Sequence, residues 1–386
     1  MIPLFNLGFR PFFLGAGIFS VLSMLLWTGV YTFGWKIPVA TGIPVTSWHA
    51  HEMLYGYTMA VIAGFLLTAV KNWTNIQTAS GLRLFLLFSI WILARIAAIS
   101  NLPVTFMFLL DSVFIFLLVL ETGIPIVRTR QWRQTAILAK VILLGIGNLL
   151  FYAGVLGWLD NGIPWGIYSG LYLVIGLILT VGRRVIPFFI ERGVDIEVKL
   201  INRRWLDISS MILFLLFFIF EVFTSLNIVS ANLSLILFVM HAVRLAGWYT
   251  PGIWKKPLLW SLFCAYGFII SGFLLNACAY YFNLYPFLAV HAFAVGGVGL
   301  LTISMMARVS LGHTGRNIDQ PPKALKWVFF LLITSAVIRV LLPIINMGNY
   351  AVWITLSQLF WITAFSIFVF VYFSVLTRPR IDGQPG

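Results

Sequence analysis

Five histidines are the side chains of this sequence best suited to metal chemistry: His49, His51, His241, His291 and His313. A neutral imidazole is a good ligand for haem iron and for copper. Ionisable side chains are rare inside long apolar segments because their burial in hydrocarbon is costly. Each histidine within such a segment is therefore a candidate site residue, and a hydrogen bond to a neighbouring group is the alternative.

Three of these histidines are predicted to lie at similar depth. His49, His51 and His291 fall within the first two turns of two predicted helices that enter the membrane from the same side. We expect them to form a metal-binding layer near the outer face. Residues i and i+2 of a helix point about 200° apart, so His49 and His51 can share one metal only if the chain from Trp48 is extended. The alternative is interfacial histidines beside an aromatic belt of Trp48 and Tyr55.

His241 is predicted to lie deeper, about twelve residues or roughly 18 Å from the outer end of its helix. At that depth a ligand or another protein group must satisfy the ring, and a backbone carbonyl is the alternative to a metal. Arg244 follows one turn later on nearly the same face, which makes it a candidate partner for a haem propionate. His313, within Leu-Gly-His-Thr-Gly-Arg, is expected to be solvated or to end a helix.

Charged side chains in the apolar segments give further candidates. Glu52 directly follows His51 and is a candidate to pass protons to a metal site or to orient His49. The alternative is a water-exposed carboxylate at a helix start. Arg95 and Asp111 belong to adjacent predicted helices at comparable depth, so we expect an ion pair between them, with a proton path as the alternative.

Small residues follow His291 at helical spacing, namely Ala292, Gly296 and Gly299. Such a stripe favours tight helix packing in membranes, and room for a flat cofactor is the alternative. The sequence contains no Cys-x-x-Cys-His motif, so any haem is expected to be bound without covalent attachment.

Composition indicates the elements that position these residues. Of 386 residues, 61% are hydrophobic and 9% are charged, whereas a soluble domain carries about a quarter charged residues. The net charge of +14 lies in short basic clusters between apolar runs. An anionic lipid surface explains that pattern better than nucleic acid does. The sequence therefore predicts an integral membrane protein.

Each long apolar run is predicted to be one membrane-spanning helix, because a bilayer core needs about 20 apolar residues and satisfied backbone hydrogen bonds. We predict an all-α, polytopic transmembrane helical bundle with about 12 spans. Their limits are 10–33, 49–70, 82–99, 102–127, 134–157, 164–186, 205–227, 229–248, 257–282, 286–307, 324–346 and 350–376.

The connections between the spans predict the orientation. Every even-numbered connection carries Lys or Arg, with the largest group between residues 183 and 204, whereas the third, seventh, ninth and eleventh connections carry neither. By the positive-inside rule the even connections and both termini are cytoplasmic. We expect residues 1–386 to form a single transmembrane domain, and two halves, 1–190 and 200–386, are the alternative.

Several motifs together carry a resemblance to a known family. They are residues 8–13 (Gly-Phe-Arg-Pro-Phe-Phe), 48–53 (Trp-His-Ala-His-Glu-Met), 64–74, 182–189, 291–292 (His-Ala) and 310–316 (Ser-Leu-Gly-His-Thr-Gly-Arg). In these motifs the chain resembles the NnrS family from its first predicted helix to its tenth.

The resemblance implies a protein of the bacterial inner (cytoplasmic) membrane that contains b-type haem and copper and acts in nitric oxide metabolism and nitrosative stress resistance. It favours a nitric oxide reductase-like enzyme that forms nitrous oxide at an outer-side metal site, with electrons from a quinol or a small redox carrier. Non-catalytic binding, sensing or transport of nitric oxide, metal or haem is the alternative. With the resemblance, His49, His51, His241 and His291 are the expected metal ligands, Trp48 and Arg244 line the cofactor, and Glu52 is the catalytic acid.

Overall fold

The computed structural model describes residues 3–384. The described residues fold into helices joined by short connections, and no strand occurs among them beyond a single bridge between Thr41 and Pro103. The expected all-α class is therefore confirmed.

Twelve long helices follow one another within residues 3–384. They are α1 (Phe9–Phe33), α2 (Val45–Thr74), α3 (Leu82–Ala98), α4 (Val104–Arg128), α5 (Thr135–Val155), α6 (Gly162–Gly193), α7 (Arg204–Phe223), α8 (Asn227–Gly247), α9 (Pro257–Tyr281), α10 (Pro286–His313), α11 (Leu325–Ile345) and α12 (Tyr350–Thr377).

All but one of these helices are long and apolar enough to cross a membrane by the usual criterion of 18 residues, and α3 has 17. A hydrocarbon core can be crossed by about 17–25 helical residues, so α3 meets the lower limit. The prediction of a polytopic bundle with about twelve spans is confirmed. The cytoplasmic placement of the termini stays a prediction.

Two of the helices contain a π-helical segment. Glu52–Thr58 is π-helical within α2, and Ala292–Gly299 is π-helical within α10. In α2 the segment directly follows His51, and in α10 it directly follows His291. Such segments are rare and occur frequently at functional sites, and each adds a residue to the helical turn.

Helix α2 begins earlier than the sequence predicted. Pro44 is extended and precedes the helix, which begins at Val45 rather than near residue 49. Proline lacks an N–H group and is therefore favourable at the start of a helix and unfavourable inside it. Glu52 is consequently about 10 Å along the helix at 1.5 Å per residue, well past the first turn.

The chain divides into two compact units. Unit 1 comprises Met1–Leu173, Met306–Ile318 and Phe365–Gly386, and unit 2 comprises Val174–Met305 and Asp319–Ala364. Each unit is described by itself below. The single domain expected from the sequence stays a prediction.

The small-residue stripe of α10 is filled by aromatic rings of unit 2. A Cβ atom added to Gly296 would lie 2.2 Å from the Phe268 ring, and one added to Gly299 would lie 2.4 Å from the Trp361 ring. No side chain fits at either position without a shift of these rings. The stripe therefore serves tight packing, as its spacing favoured.

Candidate functional site

Unit 1 contains a buried set of polar side chains that we call the unit 1 polar cluster. Each member exposes at most 5% of its surface, and the members come from α2, α3, α4 and α5. The cluster consists of His51, Glu52, Arg95, Asp111, Asn148 and Tyr152.

Arg95 holds the two carboxylates of this cluster together. Its Nη1 donates to Glu52 Oε1 at 2.7 Å, and its Nη2 donates to Asp111 Oδ1. The Tyr152 hydroxyl donates to Asp111 Oδ2 at 2.6 Å. The ion pair of Arg95 and Asp111 predicted from the sequence is confirmed, and Glu52 is a second partner that the sequence did not indicate.

The hydrogen bonds of His51 indicate a charged ring. Its Nδ1 lies 3.0 Å from Glu52 Oε1 and its Nε2 lies 2.8 Å from Asn148 Oδ1. With the Asn148 amide in this orientation both partners are acceptors, and both ring nitrogens must donate, as in an imidazolium. Arg95 and His51 then balance the charges of Glu52 and Asp111. A reversed Asn148 amide would favour a neutral ring and leave one net negative charge buried, which is costly in a membrane interior.

This arrangement bears on the predicted roles of His51 and Glu52. An imidazolium has no lone pair for a metal, so His51 stays a predicted ligand only if its two hydrogen bonds are broken. Glu52 is fully buried, so the alternative of a water-exposed carboxylate at a helix start is wrong. Its Oε2 has no hydrogen-bond partner among residues 3–384. That oxygen is the place in the cluster where a proton or a donor group can be accepted.

His49 lies away from the polar cluster. Val45–His51 is α-helical, so the extended segment that a shared metal requires is not present. The His49 ring stacks on Trp27 with centroids 4.4 Å apart and planes 5° apart. Trp48 is fully buried in an apolar cluster that includes Met107 and Phe151. The roles of His49 as ligand and of Trp48 at a cofactor stay predictions.

In unit 2, His241 is fully buried and held through one ring nitrogen. Its Nδ1 lies 2.6 Å from the Tyr266 hydroxyl and 2.8 Å from Nη1 of Arg244. Its ring is nearly parallel to Phe273, with planes 9° apart and centroids 5.7 Å apart. Its Nε2 is buried and has no hydrogen-bond partner among residues 3–384. The backbone carbonyl expected as the alternative partner of His241 is replaced by the Tyr266 hydroxyl.

The guanidinium of Arg244 is hydrogen-bonded to several groups of the protein. Nη1 also reaches the Tyr266 hydroxyl at 3.2 Å. Nη2 donates to the Leu206 carbonyl at 3.0 Å, and to Asp207 Oδ1 and Ser210 Oγ at 2.9 Å each. A haem propionate would have to replace one of these acceptors. Arg244 stays a predicted propionate partner on that condition.

His291 of unit 2 has a defined tautomer. Its Nδ1 donates to the Phe287 carbonyl at 2.7 Å, so its Nε2 carries the lone pair, which accepts from Nη2 of Arg339 at 3.2 Å. Arg339 also lies over the rings of Phe287 and Tyr350, at 5.3 and 5.1 Å from their centroids. A carbonyl bond at Nδ1 is the usual arrangement for a histidine that binds metal through Nε2. A metal at His291 would have to displace Arg339.

His313 ends helix α10, which agrees with one of its two expected roles. Its ring lies 5.7 Å from that of Phe9, and its carbonyl accepts from Arg380 at 3.1 Å.

The donor set of the described residues fits a haem better than it fits copper. Within residues 3–384, no group of three or more His, Cys, Asp or Glu side chains is placed to hold a metal ion. Haem iron would need one nitrogen from the protein, and His241 Nε2, which has no hydrogen-bond partner among residues 3–384, would supply it once its proton had moved to Nδ1. Copper stays a prediction from the resemblance, without a matching donor group.

Comparison with known proteins agrees with the fold and the motifs. No curated protein matches the chain significantly. A model of the NnrS protein family matches residues 3–380, which is nearly the whole sequence. Family membership is consistent with a role linked to nitric oxide. This multi-pass membrane protein therefore belongs to the NnrS family.

Proposed function

We propose that this protein binds haem through Nε2 of His241 inside the membrane and reduces nitric oxide to nitrous oxide there. The observation that supports the proposal is the buried Nε2 without a hydrogen-bond partner among residues 3–384. An unsatisfied buried polar group costs about 1–3 kcal/mol, so native structures rarely retain one without a reason. Ligation to iron would satisfy this nitrogen.

Ligation requires a particular tautomer of His241. Arg244 can only donate, so its contact with Nδ1 favours a neutral ring with the proton on Nε2. To bind iron, Nε2 must give up that proton, and Nδ1 then donates to the Tyr266 hydroxyl. Arg244 keeps Asp207, Ser210 and the Leu206 carbonyl as acceptors in this state. Tyr266 is thus the residue that fixes the ligating tautomer.

Haem, when bound, supplies a binding position for nitric oxide and one-electron chemistry. The rings of Tyr266 and Phe273 pack beside His241, Phe293 packs against Phe273, and the fully buried His241 is closed to water. Nitric oxide partitions into lipid, so a site within the spanning helices can be reached without an aqueous path. The electrons are expected from a quinol or a small redox carrier. Reduction also consumes protons, and Glu52 as their donor stays a prediction, because its carboxylate, which accepts from Arg95, would first have to take up a proton.

The proposal is tested with two histidine variants of the purified protein. His241→Ala should lose most of the bound haem or change its Soret spectrum, because the side chain that would hold the iron is removed. His313→Ala is the matched control, since its imidazole lies elsewhere, and it should keep full haem content. Haem is measured by the reduced-minus-oxidised spectrum.

Turnover is measured in parallel with a nitric oxide electrode, a reduced quinol analogue and detection of nitrous oxide. Sustained nitrous oxide formation that is lost in His241→Ala supports the enzyme. Stoichiometric nitric oxide binding without nitrous oxide would assign the protein to non-catalytic binding. Wild-type haem content with an unchanged spectrum in His241→Ala would refute the ligand assignment.

A further inference from the structure

Arg10 is a fully buried cation of unit 1 with half of its guanidinium unused. Its Nη1 donates to the carbonyls of Leu376 and Arg378 at 3.0 and 2.7 Å. Its Nε and Nη2 are buried and have no hydrogen-bond partner among residues 3–384. Nε and Nη2 form the side edge of the guanidinium, which is a fork that matches two oxygens of a carboxylate or a phosphate.

Further donors without partners lie in the same part of unit 1. Arg316 Nη1 and the Tyr372 hydroxyl are buried and have no hydrogen-bond partner among residues 3–384. The charge of Arg316 acts on Arg10, and Tyr372 interacts electrostatically with Arg316. Four donor atoms from three side chains are therefore available, and Arg316 lies within electrostatic range of both Arg10 and Tyr372.

The basic residues here are not balanced by acids. Arg316, Arg378 and Arg380 belong to this region with Arg10, and their charges repel one another. Asp382 is an acid of the region, but both of its oxygens accept from Arg380, at 2.9 and 2.5 Å. Burial, followed by repulsion from Arg378, lowers the pKa of Arg316, while Tyr372 opposes that effect. A buried guanidinium without a counter-charge is strongly unfavourable, so an anion would stabilise the region.

We propose that Arg10, Arg316 and Tyr372 form a binding site for a phosphate group. The Nε–Nη2 edge of Arg10 binds two of its oxygens, and Arg316 and Tyr372 donate to the remaining lone pairs of the group. A tetrahedral phosphate presents its lone pairs in several directions and so suits donors from three side chains, whereas the lone pairs of a carboxylate lie in one plane. The group belongs either to an anionic lipid or to free phosphate. The site lies at the first turn of α1 and the last turn of α12, where lipid phosphates are found if these ends face the membrane surface.

This site gives a role to two motifs that the haem proposal does not use. Arg10 belongs to the motif of residues 8–13, and Arg316 ends the motif of residues 310–316. The chain after α12 connects them, because Arg380 donates to the His313 carbonyl and Ile381 N donates to the Thr314 carbonyl at 3.3 Å. The motifs therefore meet in unit 1 around one unused set of donors.

The test uses the full-length protein purified in a phosphate-free maltoside detergent. Its thermal midpoint is measured against sodium phosphate, with sodium chloride at equal ionic strength as reference. A second titration adds phosphatidylglycerol to the micelles, with phosphatidylcholine as reference. A saturable rise with free phosphate assigns the site to a soluble phosphate, and a rise with phosphatidylglycerol alone assigns it to a lipid. If the thermal midpoint rises in neither titration, the proposal is overturned and the donors are hydrated instead.

Variants show whether Arg10 and Arg316 are responsible for the rise in thermal midpoint. Arg10→Gln and Arg316→Gln should each weaken the apparent affinity about tenfold or more, since each removes a charge-assisted bond. Arg316 is only half buried, so its variant is available if Arg10→Gln does not fold. Arg83→Gln is the matched control, because it removes an exposed arginine of unit 1, and it should bind as the wild type does. An equal loss in Arg83→Gln, or full binding by Arg316→Gln, would overturn the assignment.

Discussion

The charge balance of the unit 1 polar cluster predicts a large effect of Asp111→Asn. The variant keeps the shape of the side chain and removes one negative charge, which leaves Arg95 and His51 with Glu52 as their only counter-charge within the cluster. Asp111 is 1% exposed, so water cannot compensate. Removing one partner of a buried ion pair costs about 3–5 kcal/mol. For a unit of this size, that lowers the thermal midpoint by roughly 10 °C.

A double variant tests the charge balance of the cluster more sharply. Arg95→Gln with Asp111→Asn removes one charge of each sign and restores balance between His51 and Glu52. The double variant should therefore be more stable than the sum of the two single effects implies, by about 2 kcal/mol. Thermal unfolding in detergent, followed by circular dichroism, measures all three variants against the wild type.

A matched pair on the same two helices provides the control. Arg83 of α3 pairs with Glu121 of α4, but the Arg83 side chain is 66% exposed. Surface ion pairs contribute about 0–1 kcal/mol, so Glu121→Gln should shift the midpoint by no more than a few degrees. Additive effects of Arg95→Gln and Asp111→Asn, to within about 0.5 kcal/mol, would refute the balanced cluster.

Three further outcomes are expected. Tyr266→Phe should keep haem but change its spectrum, because Nδ1 of His241 loses its hydroxyl partner. An unchanged spectrum would show that Tyr266 does not influence the haem ligand. Cysteine placed at Thr41 should react with an impermeant thiol reagent in whole cells and cysteine at Asp195 should not, and the reverse would invert the predicted topology. The hydrogen bond with Arg380 lowers the pKa of Asp382 to about 2, so docking of the tail is stabilised above the usual carboxylate pKa and weakens as pH falls toward 2. At pH 4 pepsin should cut residues 376–384 faster in Asp382→Asn than in the wild type, and this difference should shrink at pH 2; equal rates for the two proteins at pH 4 would contradict this.

The spanning helices could be predicted because the membrane leaves few alternatives for a long apolar run. The start of α2 was harder to predict because residues 45–48 are less apolar than the run that follows. The presence of Pro44 was the signal that the helix could begin at Val45. This shift of one turn carried Glu52 from a supposed exposed end into the buried cluster.

Apart from the pair of Arg95 and Asp111, the residues of the two buried clusters were predictable only as single positions. Arg95 and Asp111 were paired because antiparallel neighbours of equal depth face each other. Asn148 and Tyr152 were missed, although a polar amide within an apolar helix was a usable signal. The contact of His241 with Tyr266 depends on the rotation of α9 against α8, and one apolar run does not determine that rotation.

The π-helical segment of α2 lets two parts of the helix face different neighbours, which an uninterrupted α-helix would not allow. Before the segment, His51 must face the polar cluster. After it, Gly64 must face Phe13, whose ring lies 2.8 Å from the position of an added Cβ, and Thr68 Oγ1 must accept from the backbone N–H of Phe9 at 3.1 Å. One extra residue in the turn rotates the later face by about 100° relative to the earlier one. In α2 the π turn therefore separates the direction of His51 from that of the packed face at Gly64, whereas in α10 the packed Gly296 and Gly299 lie within the π-helical segment that follows His291.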